Sequence, residues 1–218
     1  MKKIIFNFLA TILFMSASIF PDSLIAQDVI LLLPPQTDGG MPLMKALKNR
    51  QTSREFASKD LSGQQLSNLL WAACGINRPD VKKRTAPSAM NYQEIDVYVS
   101  TAKGLFLYNA EKHTLAEILK EDIRDKTGKQ DFVKTAPMNL IFVADYTKMA
   151  KADEKTKEAY AMADAAFISE NVYLFCASEG LATGVRAWID KDILGKAMKL
   201  NPNQHIILGQ SVGFPAEK

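Results

Sequence analysis

The sequence predicts one α+β domain in which helices interrupt an antiparallel sheet. Three observations support this class. Residues 95–100 alternate apolar and polar side chains and are followed by a short turn at 102–104 and a second run at 105–108, which is typical of a β-hairpin. Residues 153–179 make one long helical stretch. Strand and helix patterns do not alternate regularly along the chain, as they would in a doubly wound parallel sheet.

The long helix is expected to lie in the interior of the protein. Its second half, 159–177, is apolar on nearly every face, which is not the pattern of a surface helix. We therefore expect this segment to be buried in the domain core or in a subunit interface. Gly180 follows the last helical residue and is a typical C-terminal stop, because glycine adopts the left-handed conformation at little steric cost.

The remaining elements follow from caps and short apolar runs. Ser62 is a suitable N-cap for a helix that reaches Cys74 and ends at Gly75, since its hydroxyl can accept a hydrogen bond from a free amide of the first turn. The other expected elements are helices over 114–125 and 190–200 and strands over 138–144, 185–189 and 206–209.

Residues 1–26 have the order of a secretory signal peptide. Lys2 and Lys3 precede an apolar run over 4–20, and the small residue Ala26 suits the position before a cleavage site. The alternative is a single membrane anchor, because the run approaches spanning length. Polar side chains dilute the run, however, and no positive stop-transfer cluster follows it. We therefore expect cleavage, export to the periplasm and no stable membrane insertion of the mature protein.

Cleavage would leave an extended linker over 27–41, which contains paired prolines and glycines, and one domain over 42–218. The whole chain has 27 basic and 24 acidic residues. Removing residues 1–26 takes away two lysines and one aspartate, which leaves 25 against 23 and a net charge of +2. A near-neutral chain gives no reason to expect nucleic acid as a partner.

Residues of the reactive types are few. Cys74 and Cys176 lie in apolar helical runs and are expected to pack as small hydrophobic side chains, although an exported protein could also pair them in a disulfide. His113 and His205 have no metal-binding partner at ligand spacing, and we expect solvated or locally hydrogen-bonded roles for both. No phosphate loop, dinucleotide glycine motif or nucleophile elbow is present. No side chain is therefore assigned a catalytic role, and an enzyme of this sequence would need a cofactor for its chemistry.

Three segments have the composition of a site for an anionic, planar cofactor. In the first, Arg50 and Arg54 stand on either side of two hydroxyl residues. Guanidinium groups bind phosphate through parallel hydrogen bonds, and hydroxyls add neutral donors. The alternative is a solvated loop whose arginines pair with Glu55 or Asp60.

The second segment, 82–93, is a loop of small and polar residues that leads into the hairpin. Small residues let backbone amides approach a ligand, and Asn91 and Gln93 carry donors and acceptors suited to the edge of a heterocycle. A purely structural turn is the alternative. The third segment, 180–187, directly follows the long helix.

Together these segments resemble the nitroreductase family, especially the branch related to the dehydrogenases of azole-forming peptide maturation. The likeness rests on 50–56, on the run Arg84-Thr85-Ala86-Pro87-Ser88-Ala89-Met90-Asn91-Tyr92-Gln93, on 180–187 and on the closing 208–215. Each motif is loose alone, but their order and spacing make the joint pattern more specific. The resemblance implies a homodimer with two FMN molecules at the subunit interface, where the apolar helix would find its burial partner.

The resemblance also implies which residues bind the cofactor. The arginine segment would hold the phosphate, ribityl chain and pyrimidine edge, the small-residue loop would line the isoalloxazine, and the backbone after the long helix would offer an amide to the flavin N5 side. The expected set is Arg50, Gln51, Thr52, Arg54, Arg84, Pro87, Ser88, Ala89, Asn91, Gln93, Arg186, Ala187 and Lys218.

The implied reaction is hydride transfer by the flavin between NAD(P)H and a small organic acceptor, such as a nitroaromatic or a quinone. Two departures matter. Only Lys218 supplies a basic residue after the closing motif, so phosphate binding would depend more on Arg50 and Arg54. Export makes the electron donor an open question, because NAD(P)H is not expected to be abundant outside the cytoplasm. The alternatives are an envelope protein that binds or scavenges flavin without turnover, and a structural dimer without a cofactor.

Overall fold

The computed structural model describes residues 28–217. The predicted signal peptide and Lys218 lie outside these residues, so export and the role of Lys218 stay predictions. No helix within 28–217 is both long enough and apolar enough to cross a membrane.

The described chain contains the following elements. The strands are β1 (Val29–Leu31), β2 (Ile76–Arg78), β3 (Lys83–Arg84), β4 (Ile95–Thr101), β5 (Gly104–Asn109), β6 (Thr114–Leu119), β7 (Met138–Asp145), β8 (Ala182–Arg186) and β9 (Gln204–Gly213). The helices are α1 (Leu43–Asn49), α2 (Gly63–Cys74), α3 (Glu154–Glu179) and α4 (Lys191–Ala197).

Seven strands form one sheet in the order β1-β6-β5-β4-β7-β9-β8, and every neighbouring pair is antiparallel. β2 and β3 form a separate two-stranded ribbon. β4 and β5 make the predicted hairpin, with Thr101 paired to Gly104 across the turn. The predicted α+β class with a mostly antiparallel sheet is confirmed.

Hydrophobic cores lie on both faces of the sheet. Successive side chains of a strand point to opposite faces, and in β4 Val97 joins one core whereas Tyr98 joins the other. The first core lies between the sheet and the helices α2 and α3, which contribute the fully buried Leu70 and Val172. The second core is covered by α4 through the fully buried Leu194.

The long helix α3 begins and ends as predicted. The Asp153 carboxylate accepts a hydrogen bond from the backbone amide of Thr156 at 2.8 Å, and Gly180 stops the helix with φ of 69°. One side of α3 is buried through Ala161, Ala165, Ile168, Val172 and Cys176. Met162 and Phe167, however, are each 47% exposed in the single chain. Part of the apolar surface of α3 therefore has no cover within one protomer.

α2 has the predicted cap and stop. The Ser62 hydroxyl accepts from the backbone amide of Gln65 at 3.2 Å, and the Gln65 side chain accepts from the Ser62 amide at 3.0 Å. Cys74 at the end of α2 and Cys176 in α3 are both buried and free, as favoured by their apolar surroundings. Burial raises the pKa of the Cys74 thiol to about 11 and also raises the pKa of Cys176, so neither is a thiolate at neutral pH.

The helix predicted over 114–125 is wrong. Residues 114–119 form strand β6, which pairs with β5 on one side and β1 on the other, and a short 3-10 turn follows at Arg124–Lys126. Hydrogen bonds to two neighbouring strands outweigh the helical preference of this stretch. His113 accordingly lies in a turn rather than at a helix start, and its ring nitrogens lie 2.8 Å from the Ser67 hydroxyl and 2.9 Å from the Tyr108 hydroxyl.

The predicted linker over 27–41 also needs correction. Val29–Leu31 forms β1, the edge strand of the main sheet, so the folded domain begins before residue 42. The side chains of this strand are largely exposed, which explains why no alternating pattern marked it. Three other boundaries differ from those expected. β8 ends at Arg186 rather than reaching 189, β9 extends from 204 to 213, and α4 is shorter than 190–200.

Candidate functional site

The arginine segment, 50–56, lies against the end of the sheet that β8 forms. The backbone amide of Ser53 donates to the carbonyl of Thr183 at 2.8 Å, and Phe56 forms an isolated antiparallel bridge with Pro215. Gly184 allows this approach, because a Cβ at that position would lie 2.7 Å from the Ser53 carbonyl oxygen. The segment is therefore fixed by backbone contacts rather than free in solvent.

Tyr173 of α3 organises this segment. Its hydroxyl lies 2.9 Å from the Thr52 hydroxyl and accepts a hydrogen bond from the backbone amide of Val185 at 3.0 Å. The guanidinium carbon of Arg50 lies 5.2 Å from the centre of the Tyr173 ring, a cation–π distance. One buried side chain thus links the arginine segment, the long helix and β8. Tyr173 is not among the site residues predicted from the sequence. The only signal for it is that few residues in the apolar half of α3 carry a polar group.

Neither arginine of the segment is neutralised by an acid. The ion pairs found between residues 28 and 217 include neither Arg50 nor Arg54, so the proposed alternative of pairing with Glu55 or Asp60 is not what the structure has. Arg50 is half-buried and Arg54 is exposed. Two guanidinium groups on one fixed segment are suited to bind a phosphate.

A cavity of about 490 Å³ lies beside the arginine segment. This volume is within the usual range for small-molecule and cofactor sites, roughly 300–1,000 Å³. The wall is formed by the segment itself, by the C-terminal end of α3 and by the start of β8, through residues that include Lys48, Gln51, Ser53, Tyr173, Gly180 and Thr183. The site therefore has room for a cofactor, and Lys48 supplies a positive charge in its wall. Arg50 and Arg54 do not line the cavity themselves but neighbour wall residues of the same segment in the chain.

The small-residue loop, Pro87–Asn91, is held by a different set of contacts. The backbone amide of Ala89 donates to the Asp164 carboxylate at 2.8 Å, and the Ser88 hydroxyl accepts from the backbone amide of Gln93 at 2.8 Å. The Arg84 guanidinium donates to the Gln93 side-chain oxygen at 2.9 Å. The predicted residues of this loop do come together, and Pro87 and Asn91 are exposed at its surface.

One chain does not bring the arginine segment and the Pro87–Asn91 loop side by side. The segment contacts α3 at Tyr173, whereas the loop contacts α3 at Asp164. These positions are nine residues apart, which is about 13 Å along a helix that rises 1.5 Å per residue. The two parts of the expected site therefore lie at separate points of the same helix.

The side chain of Arg186 is buried and hydrogen-bonded within the domain, which the sequence did not indicate. Its side chain is only 5% exposed and carries no acidic partner. The guanidinium instead donates to the carbonyl and hydroxyl of Thr127, to the Asn139 side-chain oxygen and to the Ser211 hydroxyl at 2.9–3.0 Å. Burial lowers the pKa of Arg186 to about 10, so it stays charged at neutral pH. Its side chain fixes the chain end of β8, and exposed Ala187 follows it.

The described chain thus combines an antiparallel α+β fold with an arginine segment that lies beside a cavity and forms no ion pair within residues 28–217. Comparison with known proteins identifies the class. Residues 47–214 match the model of the Nitroreductase family, and the chain belongs to this family. It is 30% identical over 162 residues, 69% of its length and 81% of the relative's, to a Methanocaldococcus jannaschii protein described as a nitroreductase.

Solved structures agree with this membership. A crystal structure from Ralstonia eutropha JMP134, described as a nitroreductase, matches with 43% identity and a TM-score of 0.84, covering 87% of this chain and 90% of that one. Two structures share the fold at low identity. A chain of the Escherichia coli microcin synthetase complex has 15% identity and a TM-score of 0.67, covering 97% of this chain and 85% of that one. The Vibrio harveyi NADPH:FMN oxidoreductase has 17% identity and a TM-score of 0.60, covering 80% and 69%.

Proposed function

We propose that the protein is an FMN-dependent oxidoreductase. It would pass hydride between a reduced nicotinamide or another donor and a small organic acceptor, such as a nitroaromatic or a quinone. The observation that carries the proposal is a segment with two guanidinium groups, Arg50 and Arg54, which form no ion pair within the described chain. The segment lies beside a cavity, and Arg50 packs on the Tyr173 ring. Family membership and the fold shared with an NADPH:FMN oxidoreductase support the choice of flavin.

The protein's own residues would bind and orient the cofactor. Arg50 and Arg54 would hold the phosphate, with Thr52 as a neutral donor and Gln51 on the cavity wall. The Pro87–Asn91 loop would line the ring system, and the backbone near Ala187 would face its N5 edge. The flavin, when bound, supplies the hydride chemistry.

We propose further that the protein is a homodimer with one FMN at each of two equivalent interface sites. A two-fold axis near Ile168 would pair two copies of α3 in antiparallel orientation, so that Asp164 of one helix lies opposite Tyr173 of the other. The loop of one protomer would then complete the arginine segment of its partner. Exposed Met162 and Phe167 on α3 would be covered in the same contact.

The dimer is tested by Phe167→Glu. A charge in the centre of the interface should dissociate the dimer, as measured by analytical ultracentrifugation, and release FMN at the same time. Ile193→Glu is the matched control, because Ile193 is also exposed but lies on α4. A Phe167→Glu protein that remains dimeric with full flavin content would refute this interface.

The cofactor is tested on the purified protein, which should be yellow with a flavin absorbance spectrum. Arg50→Ala should weaken FMN binding by about 2–5 kcal/mol, the scale for removing one partner of a buried charge pair. Lys103→Ala, in the β4–β5 turn, is the charge-matched control and should bind like the wild type. A colourless protein that cannot be reconstituted with FMN would overturn the proposal, and unchanged occupancy in Arg50→Ala would overturn the phosphate assignment.

Turnover separates the enzyme from a flavin-binding protein. Bound flavin should bleach on addition of NADH, NADPH or another donor and reoxidise with a quinone or nitroaromatic.

We also propose export, on the pattern of residues 1–26, and this is tested by fractionating cells that express the full chain or a variant lacking those residues.

A further inference from the structure

Two acidic side chains lie buried beneath the Pro87–Asn91 loop. Glu94 is 0% exposed and Asp164 is 2% exposed, and both line one small cavity with Arg84 and Cys74. None of the ion pairs within the described chain involves either carboxyl group. The Arg84 guanidinium is directed to the Gln93 side chain instead, at 2.9 Å.

This arrangement favours one negative charge over two. A buried carboxylate without a cation pays a large desolvation cost, and a second negative charge beside it adds repulsion. One side-chain oxygen of Glu94, Oε1, is buried without a hydrogen-bond partner among the described residues, so it is the oxygen of this pair at which a negative charge has least support. The pair is expected to share a single proton, as closely spaced acids do elsewhere.

The same two carboxyl groups hold the loop in a strained conformation. Met90, Asn91 and Gln93 all have positive φ, between 49° and 56°, a region that side chains other than glycine rarely adopt. Such strain persists only where the surroundings enforce it. Here the enforcing contacts are the Ala89 amide donating to Asp164 at 2.8 Å and the Ser88 hydroxyl donating to Glu94 at 3.3 Å.

We propose that Glu94 and Asp164, sharing one proton, are positioning residues that hold the Pro87–Asn91 loop in its cofactor-binding conformation, and that release of this proton to solvent loosens the loop. The inference rests on the proposed flavin function. Neither residue contacts the cofactor in this view, and both act through Ser88 and Ala89. Loss of the proton would leave two negative charges in one cavity, and their repulsion would push the carboxyl groups apart together with the Ser88 and Ala89 groups that donate to them. Flavin affinity should fall because this separation outweighs the stronger hydrogen bonds that each carboxylate accepts.

The surrounding groups agree with a transition near neutral pH. Burial raises the pKa of Glu94 from an ordinary 4.5 to about 7, its own backbone amide lowers it, and the charge of Asp164 raises it again. Of the other groups that face the pair, Cys74 is a neutral thiol, and Tyr146 beyond β7 has a pKa raised by burial and by nearby acids. The Arg84 guanidinium lines the same cavity but donates to Gln93, and Lys148 is engaged with Asp96 at 2.8 Å.

The test measures FMN affinity between pH 6 and pH 9 by quenching of flavin fluorescence. Wild-type affinity should fall by about tenfold, the effect of one pKa unit of coupling. Glu94→Gln keeps the size and the oxygen that Ser88 contacts but cannot ionise, so its affinity should lose this dependence. Asp131→Asn, at a fully exposed acid, should follow the wild type. Ionisation of FMN itself affects all three proteins equally.

A Glu94→Gln profile that follows the wild type from pH 6 to pH 9 would overturn the inference, since the ionisation of FMN is common to both proteins. The apoprotein gives an independent readout. In NMR spectra recorded from pH 6 to pH 9, the chemical shifts of the Ala89 and Gln93 backbone amides should change with the same midpoint as that of the Glu94 carboxyl carbon. If FMN does not bind at any pH, the proposed function fails, and this titration still decides on the carboxyl pair. If Glu94→Gln does not fold, the wild-type titration decides alone.

Discussion

Removing the Tyr173 hydroxyl is the sharpest test of how the arginine segment is built. Tyr173→Phe keeps the ring that faces Arg50 but removes the partner of the Thr52 hydroxyl and the acceptor for the Val185 amide. A typical hydrogen bond contributes about 1 kcal/mol, and a donor left without a partner costs about 1–3 kcal/mol. We therefore expect a loss of about 1–3 kcal/mol in the free energy of unfolding.

The effect on binding follows from the loss of order in the segment. If one interaction of about 1 kcal/mol no longer preorganises Thr52 and Arg50, the FMN dissociation constant should rise about fivefold. Urea denaturation followed by circular dichroism measures the first quantity, and fluorescence titration measures the second. Tyr160→Phe is the matched control, because it makes the same change on the same helix, away from the arginine segment. A Tyr173→Phe protein as stable as the wild type, with unchanged FMN affinity, would refute the role given to this hydroxyl.

Two further predictions concern the buried side chains of Arg186 and Glu94. Gly128→Ala should lower the free energy of unfolding by about 1–3 kcal/mol, because the new Cβ would overlap the Arg186 side chain. Gly195→Ala in α4 is the control: its new Cβ meets open space, and the free energy of unfolding should rise by about 1 kcal/mol. Thermal and urea unfolding compare the two, and equal effects would contradict the tight contact. The second prediction concerns pH. Folding raises the pKa of Glu94 from 4.5 to about 7, so the folded state binds this proton more tightly than the unfolded state. The free energy of unfolding should therefore fall as the pH rises from about 4.5 to about 7, by about 3 kcal/mol at most. In Glu94→Gln the free energy of unfolding, measured with urea at pH 5 and pH 8, should change less with pH than in the wild type. An equal change in both proteins would contradict the raised pKa of Glu94.

Much of the fold could be predicted because several elements carry local signals. α2 has its capping box at Ser62, α3 has Asp153 and Gly180 at its ends, and the β4–β5 hairpin shows alternation in β4 before a glycine-containing turn. Where the sequence pattern failed, the cause was tertiary pairing. β6 is a strand because β1 and β5 bind it on both sides, and β1 exists because β6 offers it an edge. Neither partner can be identified from a local window of sequence.

The same distinction applies to the candidate site. Arg50, Arg54 and the Pro87–Asn91 loop could be proposed from residue type and order, since guanidinium groups and small residues suggest a phosphate and a close backbone approach. Tyr173 could not, because its role depends on Thr52 and Val185, which are far from it along the chain and come together only in the fold. For Arg186 the resemblance implies only a backbone contact, and the use of its guanidinium within the domain could not be predicted from the sequence.

The apolar character of α3 makes its polar exceptions informative. Among the buried residues of this helix, Asp164 and Tyr173 occupy positions where an apolar residue would pack at lower desolvation cost. Each holds one part of the expected cofactor site: Asp164 holds the Pro87–Asn91 loop, and Tyr173 holds the arginine segment. Since these anchors are nine residues apart on a rigid helix, neither part can move towards the other within one chain. In the proposed antiparallel pairing, a second copy of the helix would bring the loop of one protomer to the arginine segment of its partner, so we expect flavin binding to depend on dimerisation.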